Sequence, residues 1–309
     1  MQEYQFIETF SHVFGNSPYQ ADAEILPDLT GFELFSMDSF SEREDFFAQL
    51  SPWQIGHNMA YAACSDLLAC GAIPEYLLQN WNCDSNHGLD FYKKVSEGIQ
   101  EVLNHYGTKC IGGDLGTASE WIWTATVISH ASRPITRVAS QRIEFDLYTS
   151  GLLGEANAAI FCGQGLPTFA LRQPVSSDAI FATDTSGGLF DALENFRRVN
   201  QGLLLELDVD ALISPAVQKM LPSDARPGWA LVGGVGEYEL LFALPTGTPC
   251  REGIKIGGGH FDNASGENHI RLLCDGKCGL MKEPPPDYRD IPEENWLSAT
   301  AQYWTALFN

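Results

Sequence analysis

Basic residues are scarce in this chain: 18 Lys and Arg stand against 40 Asp and Glu, giving a formal net charge of −22. A nucleic acid or an anionic membrane needs a basic surface on its protein partner, so this balance argues against both. Charged residues make up only 19% of the chain and hydrophobic residues 44%, which excludes a disordered or coiled-coil protein. The length of 309 residues predicts one large or two medium domains.

Several common motifs are also missing. No glycine-rich loop ends in Gly-Lys-Ser/Thr, and no G-x-G-x-x-G occurs, so neither a P-loop nor a dinucleotide fingerprint is present. The seven histidines are not closely paired along the chain, which disfavours a zinc site, and Cys274 and Cys278 are interpreted as flanking a turn. No apolar run reaches the length of a membrane span, and no basic leader precedes one at the N-terminus. We therefore predict a soluble, cytoplasmic protein.

What is present is an alternation of strand-like and helix-like segments. Ser51-Pro52-Trp53-Gln54 has the pattern of a capping box, which predicts a helix running to about Gly71. The sequence predicts further helices at 89–106, 189–198 and 293–308, and strands at 75–82, 110–111, 121–130, 144–148, 158–162, 203–207 and 238–244. This pattern predicts an α+β fold with a break near Arg133-Pro134, and hence an N-terminal domain (1–135) and a C-terminal domain (136–309).

Three acids occupy unusual places. Asp66 lies in a stretch that otherwise has the composition of a buried helix, where an unpaired carboxylate is costly. Asp38 ends a strand-like run, and Asp114 follows a short strand and the pair Gly112-Gly113. Each could instead start a turn or face solvent, most easily Asp38 and Asp114. Single carboxylates on separate elements are nevertheless what Mg²⁺ requires when it binds together with phosphate oxygens.

Taken in order, these acids belong to a series of motifs that resembles a known superfamily. Residues 65–74, Ser-Asp-Leu-Leu-Ala-Cys-Gly-Ala-Ile-Pro, match SDxxAMGAxP closely, and Gly112-Gly113-Asp114 matches GGDT. Weaker matches follow the same order: residues 37–46 with TDxxxExxHF, 149–154 with vTGxLG, 184–189 with DISDGL and 234–242 with GGEDYELLF. The chain thus resembles the superfamily of aminoimidazole ribonucleotide synthetase and selenophosphate synthetase, and within it the thiamine-monophosphate kinases.

The resemblance implies a fold, cofactors and partners. It implies an N-terminal domain that binds ATP and Mg²⁺ and forms a homodimer through its β-sheet, and a C-terminal domain that closes over the phosphates and the acceptor. It further implies an ATP-dependent phosphotransferase acting on a small, possibly phosphorylated acceptor, as in thiamine biosynthesis, with no nucleic-acid or membrane partner.

The same resemblance implies roles for individual residues. Catalysis would depend on Asp38, Asp66 and Asp114, and the metal ligands would be these three with Asp22 and Asp184. The phosphates would meet Gly112, Gly113, Asp114, Ser186, Gly187 and Gly188, because glycines let backbone N–H groups approach phosphate oxygens. Acceptor contacts would come from Glu42, Asp45, Glu237 and Tyr238.

Departures from the family patterns leave alternatives open. Asp22 is the single remaining acid of the GDDAAV segment, Asp45 replaces the histidine of the HF motif, and Gly187 replaces the second aspartate of DISDGL. Asp184 fits a helix N-cap at least as well as a metal ligand. Two alternatives therefore remain: an ATP-dependent synthetase or dehydratase that activates a carbonyl or amide oxygen, and a nucleotide-binding paralogue without catalysis.

Overall fold

The computed structural model describes residues 19–309 except 44, 46–48, 224, 263–267, 287, 289 and 290. Phe46, the last position of one motif match, lies outside the described residues. The chain divides into two compact units. The N-terminal unit contains Asp22–Ile135 and Gly163–Ser177, and the C-terminal unit contains Thr136–Cys162, Asp178–Asn309 and the described residues 19–21. The predicted mixture of helices and strands is confirmed, with one mixed sheet in each unit.

The N-terminal unit is built on a five-stranded sheet of order β1-β2-β5-β3-β4. Its strands are β1 (Glu24–Pro27), β2 (Phe32–Ser41), β3 (Tyr76–Cys83), β4 (Lys109–Thr117) and β5 (Ile122–Ala131). All pairs are antiparallel except β3 with β4. Alternate residues of β5, from Trp123 to Ser129, are buried, so one face of the sheet carries the core of this unit.

Two helices of 18 residues cover that face: α1 (Pro52–Ala69) and α2 (Leu89–Tyr106). The predicted capping box is confirmed, because the Ser51 and Gln54 side chains each accept from the other's backbone N–H. Helix α2 has the predicted bounds and ends at Gly107 in the left-handed conformation. The helices pack at backbone distance: a Cβ at Gly56 would lie 1.9 Å from the Val95 carbonyl oxygen, and one at Gly98 would lie 2.0 Å from that of Trp53.

The C-terminal unit has a seven-stranded sheet of order β12-β11-β8-β10-β6-β9-β7. Its strands are β6 (Phe145–Thr149), β7 (Phe181–Asp184), β8 (Leu203–Asp208), β9 (Leu240–Pro245), β10 (Ile254–Phe261), β11 (His269–Cys274) and β12 (Lys277–Met281). Its helices are α3 (Glu155–Phe161), α4 (Leu189–Val199), α5 (Val217–Met220), α6 (Trp229–Val232) and α7 (Trp296–Leu307). Trp304 and Leu307 of α7 complete its apolar core. The predicted turn between Cys274 and Cys278 joins β11 to β12.

Three local predictions are wrong. The expected strand at 158–162 is helix α3, because its alanines are strong helix formers and the segment follows Gly154. Asp38 does not end a strand but lies inside β2, and Gly112-Gly113-Asp114 lies inside β4 rather than after it. Among the described residues, no helix combines the length and apolar composition that a membrane crossing requires.

Candidate functional site

Three of the predicted carboxylates gather on the helix-covered side of the N-terminal sheet. Asp66 lies in the last turn of α1, and Ser36 of β2 donates a hydrogen bond to its Oδ2. One carboxylate oxygen of Asp22 lies within 4.8 Å of one of Asp66. Asp38 lies two residues beyond Ser36 on the same face of β2, since side chains alternate along a strand. Asp22, Asp38 and Asp66, the N-terminal acidic cluster, therefore come from three separate segments.

The negative charge of this cluster affects the pKa of the buried Cys64 thiol. Burial raises the pKa of Cys64, and the negative charges of Asp38 and Asp66 raise it further. The carboxylates of Asp22 and Asp66, with oxygens within 4.8 Å of each other, repel unless a cation or a proton lies between them. Their oxygens are the hard ligands that Mg²⁺ prefers, and no imidazole or thiolate is in the group. The residues present therefore fit Mg²⁺.

Asp114 is on the other side of the sheet. In β4 it pairs with Asn80 of β3, which pairs with Thr124 of β5. Thr124 alternates with the buried Trp123 and Ala125, so this row faces away from α1 and α2. The Asp114 side chain is exposed there. The fold of a single chain thus brings Asp22, Asp38 and Asp66 together but leaves Asp114 on the opposite face.

Two predicted acceptor residues lie just beyond β2. Asp45 accepts a hydrogen bond from the Ser41 backbone N–H at 2.7 Å, which fixes the turn that follows the strand. Glu42 lies 3.0 Å from Nε2 of His87, with Oε1 as the near atom. Contact of either acid with an acceptor stays a prediction.

The glycine-rich turn of the C-terminal unit begins at Asp184, the last residue of β7. Oδ1 of Asp184 accepts from the backbone N–H and the hydroxyl of Ser186, at 3.3 and 2.9 Å. Gly188 precedes α4 with φ +85°, and a Cβ there would lie 2.5 Å from the Gly233 carbonyl oxygen. The N-cap residue of α4 is Gly188, which has no side chain that could bond the first N–H groups of the helix. A helix start of this kind attracts anions.

A small pocket in this unit lies beside the turn. Residues of the turn, of α3 and of the segment before β9 line it, including Gly154, Asn157, Thr185, Gly188 and Glu237. The Gly154 N–H donates to Oε1 of Glu237 at 2.5 Å, and the Thr185 hydroxyl accepts from the Glu239 N–H at 3.0 Å. Burial raises the pKa of Glu237 to about 8, and the nearby Glu239 and Glu155 contribute in the same direction. A carboxyl that is protonated near neutral pH can donate a hydrogen bond.

The raised pKa of Glu237 predicts how stability depends on pH. Between the ordinary glutamate pKa and about 8, the folded state holds a proton that the unfolded state has released, so stability falls as pH rises through this window. We expect Glu237→Gln to remove this dependence. The measurement is the thermal midpoint of wild type and variant from pH 5 to 9, and the wild type should lose more. Parallel curves for the two proteins would contradict the assignment.

Sequence reasoning missed Asn157. This buried side chain of α3 accepts from the Val235 N–H and donates to the Val235 carbonyl, at 3.0 and 3.1 Å. The Asn157 side chain therefore holds the backbone at Val235, two residues before Glu237, in place. Asparagine within an alanine-rich run was the available signal, but the strand prediction for that segment concealed it.

Comparison with known proteins agrees with this architecture. Residues 21–131 match the family described as AIR synthase related protein, N-terminal domain. The structure of AaThiL complexed with AMPPCP and TMP aligns with a TM-score of 0.76 at 16% identity, covering 92% of this chain and 96% of the other. Residues 21–131 are therefore similar to the N-terminal domain of AIR synthase related proteins, and the chain as a whole shares its fold with AaThiL.

Comparison with individual relatives identifies a more specific family. The thiamine-monophosphate kinase of Buchnera aphidicola is 30% identical over 232 residues, 68% of this chain and 70% of the relative. That of Archaeoglobus fulgidus is 23% identical over 281 residues, 83% of this chain and 89% of the relative. The chain belongs to the thiamine-monophosphate kinase family.

Proposed function

We propose that this protein is an ATP- and Mg²⁺-dependent kinase whose acceptor is thiamine monophosphate or a close analogue. The observation that carries the proposal is the N-terminal acidic cluster, in a chain whose relatives are named thiamine-monophosphate kinases. A neighbour in fold is described with AMPPCP and TMP bound, which supports a nucleotide and a thiamine phosphate as the first ligands to test.

The residues of the cluster suit phosphoryl transfer. Asp22, Asp38 and Asp66 would hold Mg²⁺, which when bound neutralises phosphate charge and aligns the transferred group. This would also offset the repulsion between a chain of net charge −22 and an anionic nucleotide. In the C-terminal unit, the turn at Ser186, Gly187 and Gly188 would lie against the phosphates, because its two glycines have no side chain to keep phosphate oxygens away from the backbone. The acceptor's own phosphate is an anionic nucleophile, so no general base is required.

The test is a turnover assay of the purified full chain with ATP, Mg²⁺ and thiamine monophosphate. Transfer of the γ-phosphoryl group to the acceptor, lost when Mg²⁺ is chelated, is the expected result. Release of inorganic phosphate that requires a nitrogen nucleophile instead would indicate a synthetase. Absence of any heat of binding with a non-hydrolysable ATP analogue and Mg²⁺ would overturn the proposal.

We also propose that the protein forms a homodimer through the open face of the five-stranded sheet. Apolar side chains occupy that face, with Met37 67% and Leu78 39% exposed on either side of Thr126. Large apolar side chains exposed this close together favour an interface. Asp114 lies on the same face, so a second copy covering it would give Asp114 a partner-facing position.

A single substitution tests the dimer. Met37→Asp places a charge in the centre of this face, and we expect it to shift the protein from dimer to monomer in sedimentation velocity. Leu29→Asp is the matched control, because Leu29 is fully exposed in the turn between β1 and β2. A wild-type protein that sediments as a monomer would refute the dimer.

A further inference from the structure

A cluster separate from the N-terminal acidic cluster joins Glu42, Asp84 and His87. Each offers one ligand atom, and the three atoms lie within 4.8 Å of one another. Nε2 of His87 is 3.0 Å from Oε1 of Glu42 and 3.8 Å from Oδ2 of Asp84. Ligands about 2.0–2.2 Å from a tetrahedral zinc ion lie roughly 3.4 Å from each other, a separation that falls between these two distances.

The side chain of Asp84 gives evidence for a bound ligand that is independent of the distances between the three residues. Its side chain is 1% exposed, and its Oδ2 has no hydrogen-bond partner. Its Oδ1 is already used, since it accepts from the backbone N–H groups of Asn86 and His87 at 2.5 and 3.2 Å. A buried carboxylate oxygen without a hydrogen bond is costly, and here it points at the ring nitrogen of His87. A cation between Oδ2, Oε1 of Glu42 and Nε2 would satisfy all three atoms.

The surroundings hold this geometry in place. The His87 ring stacks on Phe91 of α2, with centroids 4.0 Å apart and planes 19° apart. The Tyr92 hydroxyl accepts from the Asp84 N–H at 3.0 Å and lies 3.3 Å from its carbonyl oxygen. Aromatic side chains from the first turn of α2 thus hold the His87 ring and the backbone of Asp84 in place. Metal-binding histidines depend on neighbours of this kind for their orientation.

We propose that Glu42, Asp84 and His87 form a binding site for one divalent transition-metal ion of the zinc class. An imidazole with two carboxylates suits zinc better than Mg²⁺, which prefers oxygen ligands alone. The ion would join the end of β2 to the turn between β3 and α2, two segments that β5 separates in the sheet. The sequence argument disfavoured a zinc site because no two histidines are closely paired along the chain, whereas this site needs only one histidine.

The test is equilibrium dialysis of the full-length, metal-depleted protein against Zn²⁺ in excess Mg²⁺, which occupies oxygen-only sites. We expect one zinc ion per wild-type chain and at least ~10-fold weaker binding in His87→Gln and Asp84→Asn. Asparagine at 84 keeps the acceptor for the Asn86 and His87 N–H groups but removes the second carboxylate oxygen.

The matched control is His130→Gln. His130 also lies near two acids, Asp28 and Glu33, but its ring contacts the Thr30 hydroxyl at 3.3 Å and the group is more exposed. Binding that is unchanged in His130→Gln and lost in His87→Gln supports the site; the reverse pattern overturns it, as does zinc retention in His87→Gln.

A second measurement does not depend on how the variants fold. X-ray absorption at the zinc edge of the wild-type protein should show one imidazole and otherwise oxygen ligands. A spectrum without imidazole would overturn the proposal and leave the three residues as an ion-paired group. Neither Asp84 nor His87 belongs to the acidic cluster assigned to ATP, so failure here leaves the kinase proposal standing.

Discussion

Asp66→Asn is expected to lower kcat by about 100- to 1000-fold while the protein stays folded, a range typical of losing one charge-stabilising group. The amide has the size of the carboxylate and can still accept the hydrogen bond from Ser36. What it removes is one negative charge from the group formed with Asp22 and Asp38. Since this group is proposed to hold Mg²⁺, Mg²⁺-dependent binding of a non-hydrolysable ATP analogue should weaken as well.

Asp90→Asn is the matched control for this prediction. Asp90 is exposed in the first turn of α2, so the substitution changes net charge equally without touching the cluster. Steady-state kinetics at several Mg²⁺ concentrations, with calorimetry, compares the two variants. Equal turnover in both would remove Asp66 from the catalytic machinery, and normal nucleotide binding without turnover in the wild type would favour a paralogue that only binds.

Gly98→Ala is expected to cause the largest loss of stability. Alanine is the better helix former by about 1 kcal/mol, so an isolated helix would gain from the change. In this protein the new Cβ would lie 2.0 Å from the Trp53 carbonyl oxygen and 2.8 Å from the His57 nitrogen. These are backbone atoms of α1 that no rotamer change can move. The helices must separate, and a net loss of about 2 kcal/mol or more is expected from such overpacking.

Denaturant unfolding measures this loss, with Gly88→Ala as the control. Gly88 precedes the same helix, and a Cβ there would meet nothing within 4 Å. Glycine is only modestly preferred at a helix N-cap, so the control should lose less than Gly98→Ala. Equal midpoints for the two variants would mean that the helix contact adapts more easily than the geometry indicates.

The sequence predicted best where one local pattern dominates. Helix α2 has an uninterrupted helical period and a terminal glycine, and its predicted and observed bounds agree. Strand β10 was missed because it contains Gly257, Gly258 and Gly259, which have low strand propensity. The reason for those glycines is tertiary: a Cβ at Gly257 would lie 2.0 Å from the Glu206 carbonyl oxygen of β8.

The candidate site also combines features that depend on local sequence with features that depend on tertiary contacts. The motif around Asp66 could be recognised because its residues are adjacent in sequence. That Asp114 lies on the opposite face from Asp38 depends on the pairing of β4 with β3, including a register shift after Leu77. The relation of Glu42 to His87 depends on contacts 45 residues apart. Neither could be deduced from composition or spacing.

The N-terminal unit includes a segment, Gly163–Ser177, that follows part of the C-terminal unit in the chain, and this order affects folding during synthesis. Two buried polar side chains of α1 find their partners in the later segment 163–177: His57 contacts the Phe169 carbonyl at 2.9 Å, and Asn58 bonds Pro167 and Phe169. When only residues up to 135 have emerged from the ribosome, the His57 and Asn58 side chains do not yet have these partners. This unit can therefore complete its core only after translation has passed residue 177, when part of the next unit has already emerged.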